Sequence, residues 1–533
     1  IDVQTIVDAY FDNVPDMTNP TQLVSFGTSG HRGTSVDGTF TDLHVAAITQ
    51  AICDGRKQFG ATGPIFVGQD THALSQPALV TVLEVLAGNG VTAMVDCDMA
   101  FVPTPSVSRA IIRYNEEHDD KADGIIITPS HNPPDNGGIK YNTIIGGPAD
   151  TVVTKWIEMR ANEYLTAYCE SEDFKRISID NIEPTAQVPY DYKGLYVEEL
   201  GDVINMEAIK AAGPKVLVDT LGGSGASYWN AIKERYGLDL TIIHDDYDPT
   251  FSFMTYDHDG KVRMDCSSTY VMASVINRIG DFDLAVGNDP DYDRYGIVVS
   301  SGLISANTFL TLAARYLFTT RGWKHKGVGK TVVCTTMIDK WAADAETPVF
   351  EVPVGFKYFS QLLFDGAIGI GGEESAGASF LKKDGTVWTT DKDGMIMALL
   401  SMEIMAVMGK SALKMADEFV EEFGNPSFGR IDAPCKKEQK QILKQMSAEL
   451  ITATTVDGDP ITNIRTTSLY NDMPIDGVRV ETDKGWFVAR PSGTEDLYKI
   501  YGESYKGDLG LVALLTAGEE IVNAALNGTI ETE

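Results

Sequence analysis

Three aspartates alternate in the stretch NDPDYDR: Asp289, Asp291 and Asp293. Carboxylates about 4 Å apart repel by roughly 4 kcal/mol per pair at an effective dielectric near 20. A tight loop that collects three of them asks for a cation, and oxygen-only ligands suit Mg²⁺. A calcium-type EF-hand does not fit. It needs Gly at position six and Glu at position twelve, where Arg294 and Ser300 stand.

A second stretch, ITPSHNPPDNGGIKYN, carries Ser130 among Pro129, Pro133 and Pro134. Thr128 and Asn132 each precede a proline and are pushed toward extended backbone. A serine held this way on an exposed loop at a strand end suits a nucleophile, with the Gly137–Gly138 pair loosening the chain beyond it. In ARPSGTEDLY, one turn gathers Arg490, Ser492, Gly493 and Thr494. Backbone amides, two hydroxyls and a guanidinium fork are what an anion requires. GGEESAG sets Glu373 and Ser375 between Gly372 and Gly377, as hydrogen-bonding groups for sugar hydroxyls. Further cations stand in VGFKYF (Lys357), in GTSGHRG (Arg32) and ten residues after Ser130 (Lys140). Taken singly, each also fits an ordinary turn or a solvated cation. Two glycine-rich stretches fail as nucleotide sites. GVGKT lacks the earlier glycine of a P-loop, and LGGSGASY has Tyr228 where GxGxxG needs its third glycine.

These groups need strands to hold them. Residues 123–133, 283–294 and 365–377 share one plan: a continuously apolar run that ends in hydroxyls or carboxylates. Such runs predict buried central strands, and ligands sit beyond the carboxyl ends of strands in open α/β sheets. Three such ends predict three related α/β units. Helices are predicted at 76–87 and 306–318. A strand at 91–96 completes a β–α–β crossover with PIFVG, and KVLVDTLGGSG opens the second unit as strand and loop. The last ~105 residues read as an α+β module. It has a polar helix at 436–449, strands at 478–481, 486–489 and 498–503, and a helix at 511–526. The predicted domains are 1–195, 196–303, 304–425 and 426–533.

With 76 Asp and Glu against 43 Lys and Arg, the net charge is -33. That argues against free nucleic acid, which requires basic stripes. Six cysteines without a CxxC spacing predict reduced thiols. The opening IDVQTIVDAYFDNV has no basic region followed by an apolar one, and no apolar run approaches the ~20 residues of a membrane span. A cytoplasmic location and no membrane association are expected.

Taken in order, FGTSGHRG, TPSHNPPDNGGIKYN, NDPDYDR, GGEESAG and RPSGTED resemble the motif set of the α-D-phosphohexomutase family over nearly the whole chain. The resemblance implies a heart-shaped four-domain α/β protein: three related mixed-sheet α/β domains and a C-terminal α+β domain. It implies a phosphosugar mutase that works through phosphorylated Ser130, with Mg²⁺ held by Asp289, Asp291, Asp293 and the phosphoserine. Arg32 and Lys140 would sit by the reacting phosphoryl group, Lys140 as the candidate acid–base. His131, Arg294, Lys357, Glu373 and Ser375 would contact substrate. Arg490, Ser492, Gly493 and Thr494 would hold its non-reacting phosphate. Glucose 1,6-bisphosphate would be intermediate and activator. The EES form of the sugar loop and the chain length look like the phosphoglucomutase branch. Phosphomannomutase or dual specificity is the alternative. A phosphatase and a non-catalytic sugar-phosphate sensor are the competing classes. A phosphosugar is the expected partner of a monomer or weak homodimer. One local departure is GQDTHALS, where many members carry Arg at the His72 position.

Overall fold

The computed structural model describes residues 2–27, 29–169, 174–492 and 497–530. The chain divides into two compact units. One comprises Ile1–Ala306, Phe356–Ile370 and Ser375–Leu413; the other comprises Asn307–Gly355, Gly371–Glu374 and Lys414–Glu533.

In the first unit, six strands form one sheet: β1 (His31–Thr34), β2 (Ile65–Gln69), β3 (Ala93–Asp96), β4 (Asp123–Ile127), β5 (Asn136–Asn142) and β6 (Gln187–Tyr190). Their order is β1-β5-β4-β2-β3-β6. The run from β4 to β6 is parallel, while β5 is antiparallel to both β4 and β1. Parallel neighbours need crossovers, which the helices Ser75–Gly88 and Thr104–Glu117 supply. Both faces of β2 and β4 are covered, so IFVGQ and DGIII show no alternation and every residue in them is buried.

A second sheet of the same unit repeats the plan. It contains β7 (Val216–Asp219), β8 (Leu240–Ile243), β9 (Leu284–Asn288), β10 (Tyr295–Val299) and β11 (Gly302–Leu303), in the order β11-β10-β9-β7-β8. Strand β9 is parallel to β7 and wholly buried, and β10 returns antiparallel with Tyr295 opposite Asn288. The acidic stretch is therefore a hairpin loop at the carboxyl end of a buried strand. The helix Gly394–Met408 is apolar around nearly its whole circumference because it is buried between elements, among them β9 and β10.

In the second unit, β12 (Gly327–Thr331) and β13 (Val349–Val352) pair in parallel after the helix Ala306–Arg321. GVGKT is thus itself a buried strand, with Lys330 Nζ bonded to Asp339. The chain passes between the units near β14 (Ile368–Gly372) and β15 (Ala378–Phe380). Six antiparallel strands then form the C-terminal sheet: β16 (Ser427–Pro434), β17 (Thr455–Val456), β18 (Asp459–Thr467), β19 (Pro474–Thr482), β20 (Gly485–Pro491) and β21 (Leu497–Ser504). Of these, the two-residue β17 and the longer β16 and β18 escape the sequence reading. Both longer strands are largely half-buried or exposed and carry Arg430, Asp432, Asn463 and Arg465 along their length. One expectation needs correction. Within the last helix (Gly507–Ile530), Gly507–Asn527 is long and apolar enough by composition to cross a membrane, with a mean hydropathy of 1.5. Its Leu514, Leu515, Val522 and Leu526 are buried in the core of the C-terminal domain, while Leu509 and Val512 are exposed.

Candidate active site

Ser130 lies in the turn that follows β4. The sequence suggests an exposed serine; the structure buries it at 1% exposure. Its backbone takes the left-handed conformation, with φ at 62°, which costs a non-glycine residue roughly 1–2 kcal/mol. Hydrogen bonds hold it there: Ser130 N donates to Thr128 Oγ1 (2.8 Å), and that hydroxyl donates to buried Asp70 (2.6 Å). The Gly137–Gly138 pair does not loosen the chain. It lies inside β5, and a Cβ on Gly138 would stand 2.3 Å from Thr128 O. That close approach is what seats the turn against the sheet.

Ser130 Oγ donates to Asp289 Oδ2 at 3.1 Å, across 159 residues of sequence. Asp289, Asp291 and Asp293 are all buried, and each offers a carboxylate oxygen within 4.8 Å of the others. Asp289 Oδ1 also accepts from Arg294 N (2.9 Å), and Asp291 Oδ2 from Thr104 Oγ1 (2.8 Å). Lys140 Nζ reaches Asp291 (2.7 Å) and Asp293 (3.2 Å), and Lys392 Nζ reaches Asp293 (2.8 Å). Two oxygens, Asp291 Oδ1 and Asp293 Oδ1, are buried without a hydrogen-bond partner. Buried acceptors left this way are costly. Hard oxygen donors converging on one point are the ligand set of a small divalent cation. The residues present therefore fit a metal ion.

The electrostatics agree. Burial, then Asp291 and Asp293, push the Asp289 carboxyl well above the ordinary carboxylate range. Burial also opposes ionisation of Asp293, but Lys140, Lys392 and Arg294 outweigh it and hold that carboxyl low. The hairpin thus carries more negative charge than its own cations neutralise. Lys140 is pushed up in turn: burial favours its neutral form, and Asp291 and Asp293 overcome that. A lysine used for proton transfer needs the opposite shift, so Lys140 acts here as a fixed positive charge. His131 is driven down to about 3 by burial and the charge of Arg294, which leaves a neutral ring. Asp265 lies 3.9 Å from His131 and 3.7 Å from Arg294. Arg32 donates to Ser29 Oγ (3.0 Å), with its guanidinium in the field of Asp291, Asp293 and Asp289.

The structure brings Ser130, His131, Lys140, the three aspartates and Arg294 together within the first unit, with Arg32 in their field. Lys357, also in that unit, donates to Thr151 Oγ1 at 2.8 Å. Ser375 belongs to the first unit and Glu373, after β14, to the second. Arg490 and Ser492 are in the second unit: Arg490 Nε donates to Ile475 O (2.8 Å), and Ser492 N to Leu497 O (2.9 Å). Gly493 and Thr494 lie outside the described residues.

Comparison with known proteins gives this geometry a family. Residues 23–167, 195–302 and 305–423 match the phosphoglucomutase/phosphomannomutase alpha/beta/alpha domains I, II and III, and 432–509 match the C-terminal domain. The chain is 46% identical to a phosphoglucomutase of Komagataeibacter xylinus over 98% of its own length and 95% of that protein. The chain belongs to the phosphoglucomutase/phosphomannomutase family. It is an enzyme, an intramolecular phosphotransferase, built on the four phosphohexomutase domains. Phosphoglucomutase 1 of Saccharomyces cerevisiae is 27% identical, with 93% of this chain and 90% of the yeast protein covered. The open form of parafusin, a phosphoglucomutase of Paramecium, shares the fold. Its TM-score is 0.74 at 20% identity, covering 96% of each chain.

In this phosphohexomutase, sequence reasoning missed three groups at the carboxylates: Lys392, Thr104 and Asp265. Lys392 has a local signal. Asp393 caps the helix Gly394–Met408 by accepting from Ile396 N, an acid placed just before an apolar run. Gly394 admits the 289–294 loop, since a Cβ there would meet Arg294 O at 2.0 Å. Only the docking of that helix brings Lys392 to Asp293. Thr104 and Asp265 have no motif at all.

Proposed function

We propose that this enzyme is a phosphoglucomutase that interconverts glucose 1-phosphate and glucose 6-phosphate through a phosphoserine at Ser130. The observation that carries the reading is Ser130 Oγ, buried and 3.1 Å from Asp289, beside three convergent carboxylates of which two oxygens lack donors. Asp289, Asp291 and Asp293 would hold Mg²⁺ together with a phosphoryl oxygen on Ser130. When bound, the ion supplies charge neutralisation for phosphoryl transfer.

Phospho-Ser130 brings about -1.5 to -2 charges into a buried site, which Arg32, Arg294 and Lys140 are placed to balance. A sugar hydroxyl attacks phosphorus and the bond to Ser130 Oγ breaks. Oγ leaves with the bonding electron pair, and the proton given up by the attacking hydroxyl ends on it, so Ser130 returns to its alcohol form. The product of this half-reaction is glucose 1,6-bisphosphate. The sugar then turns, and its other phosphate returns a phosphoryl group to Ser130. Glu373 and Ser375 would bind sugar hydroxyls, and Arg490, Ser492, Gly493 and Thr494 would hold whichever phosphate is not reacting. A cytoplasmic location accompanies the reading, supported by free thiols at Cys53, Cys97, Cys266 and Cys334. So does a monomer or weak homodimer with a phosphosugar as ligand.

The test is a coupled assay with glucose 1-phosphate, Mg²⁺ and trace glucose 1,6-bisphosphate, run beside mannose 1-phosphate. Glucose 6-phosphate is expected to form, with Ser130→Ala inactive but folded. Near-normal turnover by Ser130→Ala removes the nucleophile. Preference for mannose 1-phosphate moves the chain to the phosphomannomutase branch. Steady release of inorganic phosphate makes it a phosphatase.

A further inference from the structure

One buried side chain beside the Ser130 turn has no task in that reading: His72. It is 1% exposed, and both ring nitrogens face oxygens. Nδ1 stands 2.8 Å from Asp70 Oδ2, and Nε2 stands 3.0 Å from Asn132 O. A backbone carbonyl has no hydrogen to give. Asp70 has no room for one. Its Oδ1 accepts from His72 N (3.0 Å) and Ser75 Oγ (2.5 Å), and its Oδ2 accepts from Thr128 Oγ1 (2.6 Å) besides the imidazole. Four donors meet four lone pairs. Both ring nitrogens must therefore donate, which makes the ring an imidazolium. A neutral ring would set a lone pair against an oxygen at about 3 Å.

The pair reaches Ser130 from two sides. Nε2 holds Asn132 O directly. Asp70 holds Thr128 Oγ1, which accepts from Ser130 N at 2.8 Å. We propose that His72 is a positioning residue, a buried imidazolium that with Asp70 clamps the 128–132 turn and keeps Ser130 Oγ aimed at the carboxylate cluster. The proposal rests on the mutase reading above. The charges that face His72 are Asp70 on its own loop and Asp291 on the metal loop, with the Phe251 ring packed on it at 5.0 Å. Tyr247 lies in the field of Asp70. Burial disfavours the charged ring, but Asp70 outweighs it, and the net direction is upward.

Two measurements test this on the full-length protein. Nitrogen-15 NMR of histidine-labelled enzyme reads the ring itself, identified by its contact with Phe251. Both ring nitrogens are expected to carry protons near pH 7.5, and a ring with one bare nitrogen overturns the proposal. In the glucose 1-phosphate assay, His72→Gln is expected to lower kcat by about tenfold or more while KM stays within about twofold, because misaiming costs rate before it costs binding. His72→Arg keeps a permanent cation with several donors. It is expected to recover most of that loss and to remove any decline of kcat at alkaline pH due to His72. Full kcat in His72→Gln overturns the proposal. A wild-type enzyme that does not convert glucose 1-phosphate defeats the mutase reading, whereas the NMR result still decides the state of His72.

Discussion

Residues 245–259 and 289–293 both crowd aspartates into a loop of the same sheet domain. The first stretch holds Asp245, Asp246, Asp248, Asp257 and Asp259; the second holds Asp289, Asp291 and Asp293. In the first, Asp248 and Asp259 are answered locally. Asp248 accepts from Thr250 N and Oγ1 and from Ser252 N and Oγ, all at 2.5–2.9 Å. Asp259 takes Lys261 N and Arg263 Nε. These are turn-forming carboxylates, satisfied by backbone amides and side chains two to four residues away. In the second, all three are buried, two oxygens have no donor, and the cations that approach come from 138–142 and 392. The acids of the first stretch, near in sequence, make turns, while the three of the second make a candidate metal site. What separates them is unsatisfied acceptor capacity under burial.

Asp291→Asn tests the comparison with the largest effect. It removes a ligand oxygen and is expected to cut kcat/KM on the order of a thousandfold, since metal-borne charge stabilisation is worth several kcal/mol. A loss below about tenfold in the coupled assay would place the ion elsewhere. Mg²⁺ at about a hundred times its Kd should raise unfolding free energy by ~2.7 kcal/mol in wild type, and by much less in this variant. Next comes Lys392→Met. It leaves Asp293 with less compensation in a dry site, where breaking a buried pair costs about 3 kcal/mol. Urea melts with chelator should show that loss, and Mg²⁺ should restore part of it. An unchanged melt would mean that Lys392 is dispensable to the charge balance.

Asp289 and Asp248 should also tilt stability in opposite directions with pH. In metal-free protein the Asp289 carboxyl is raised above its ordinary value of 3.8. Its contribution is therefore complete below the unfolded value and is lost as pH rises through the folded one. For Asp248, slight burial pulls upward, but Ser252 and Thr250 hold it at about 2. Its contribution is present above the unfolded value and is lost as pH falls through about 2. Chelator-treated Asp289→Asn should flatten the alkaline-side decline, and Asp248→Asn the acid-side one, in denaturant melts between about pH 2 and 7. The smallest effect is Asp248→Asn near neutrality: about 1 kcal/mol of stability, with kcat unaltered. If it abolished turnover, the contrast between the loops would fail.

Much of the site is legible in the sequence because its strands are. DGIII, LAVGN and IGIGG are apolar without alternation only because both faces are covered, and each delivers candidate site residues at its carboxyl end. The weakly patterned C-terminal strands are less legible. Arg465 is an example: it sits mid-strand in β18 yet is buried on Glu351 (2.6 Å), and no local period announces that.

Residue types and short spacings alone determined the alternating carboxylates, the proline-framed serine and the strands behind them, because backbone sterics and a two-faced burial pattern act within a dozen residues. Tertiary structure decided which charges meet. Lys392, Thr104 and the His72–Asp70 pair reach their partners through the packing of helices and turns 60 to 190 residues away. Desolvation acts on whatever is adjacent in space, and nothing in local sequence encodes that adjacency.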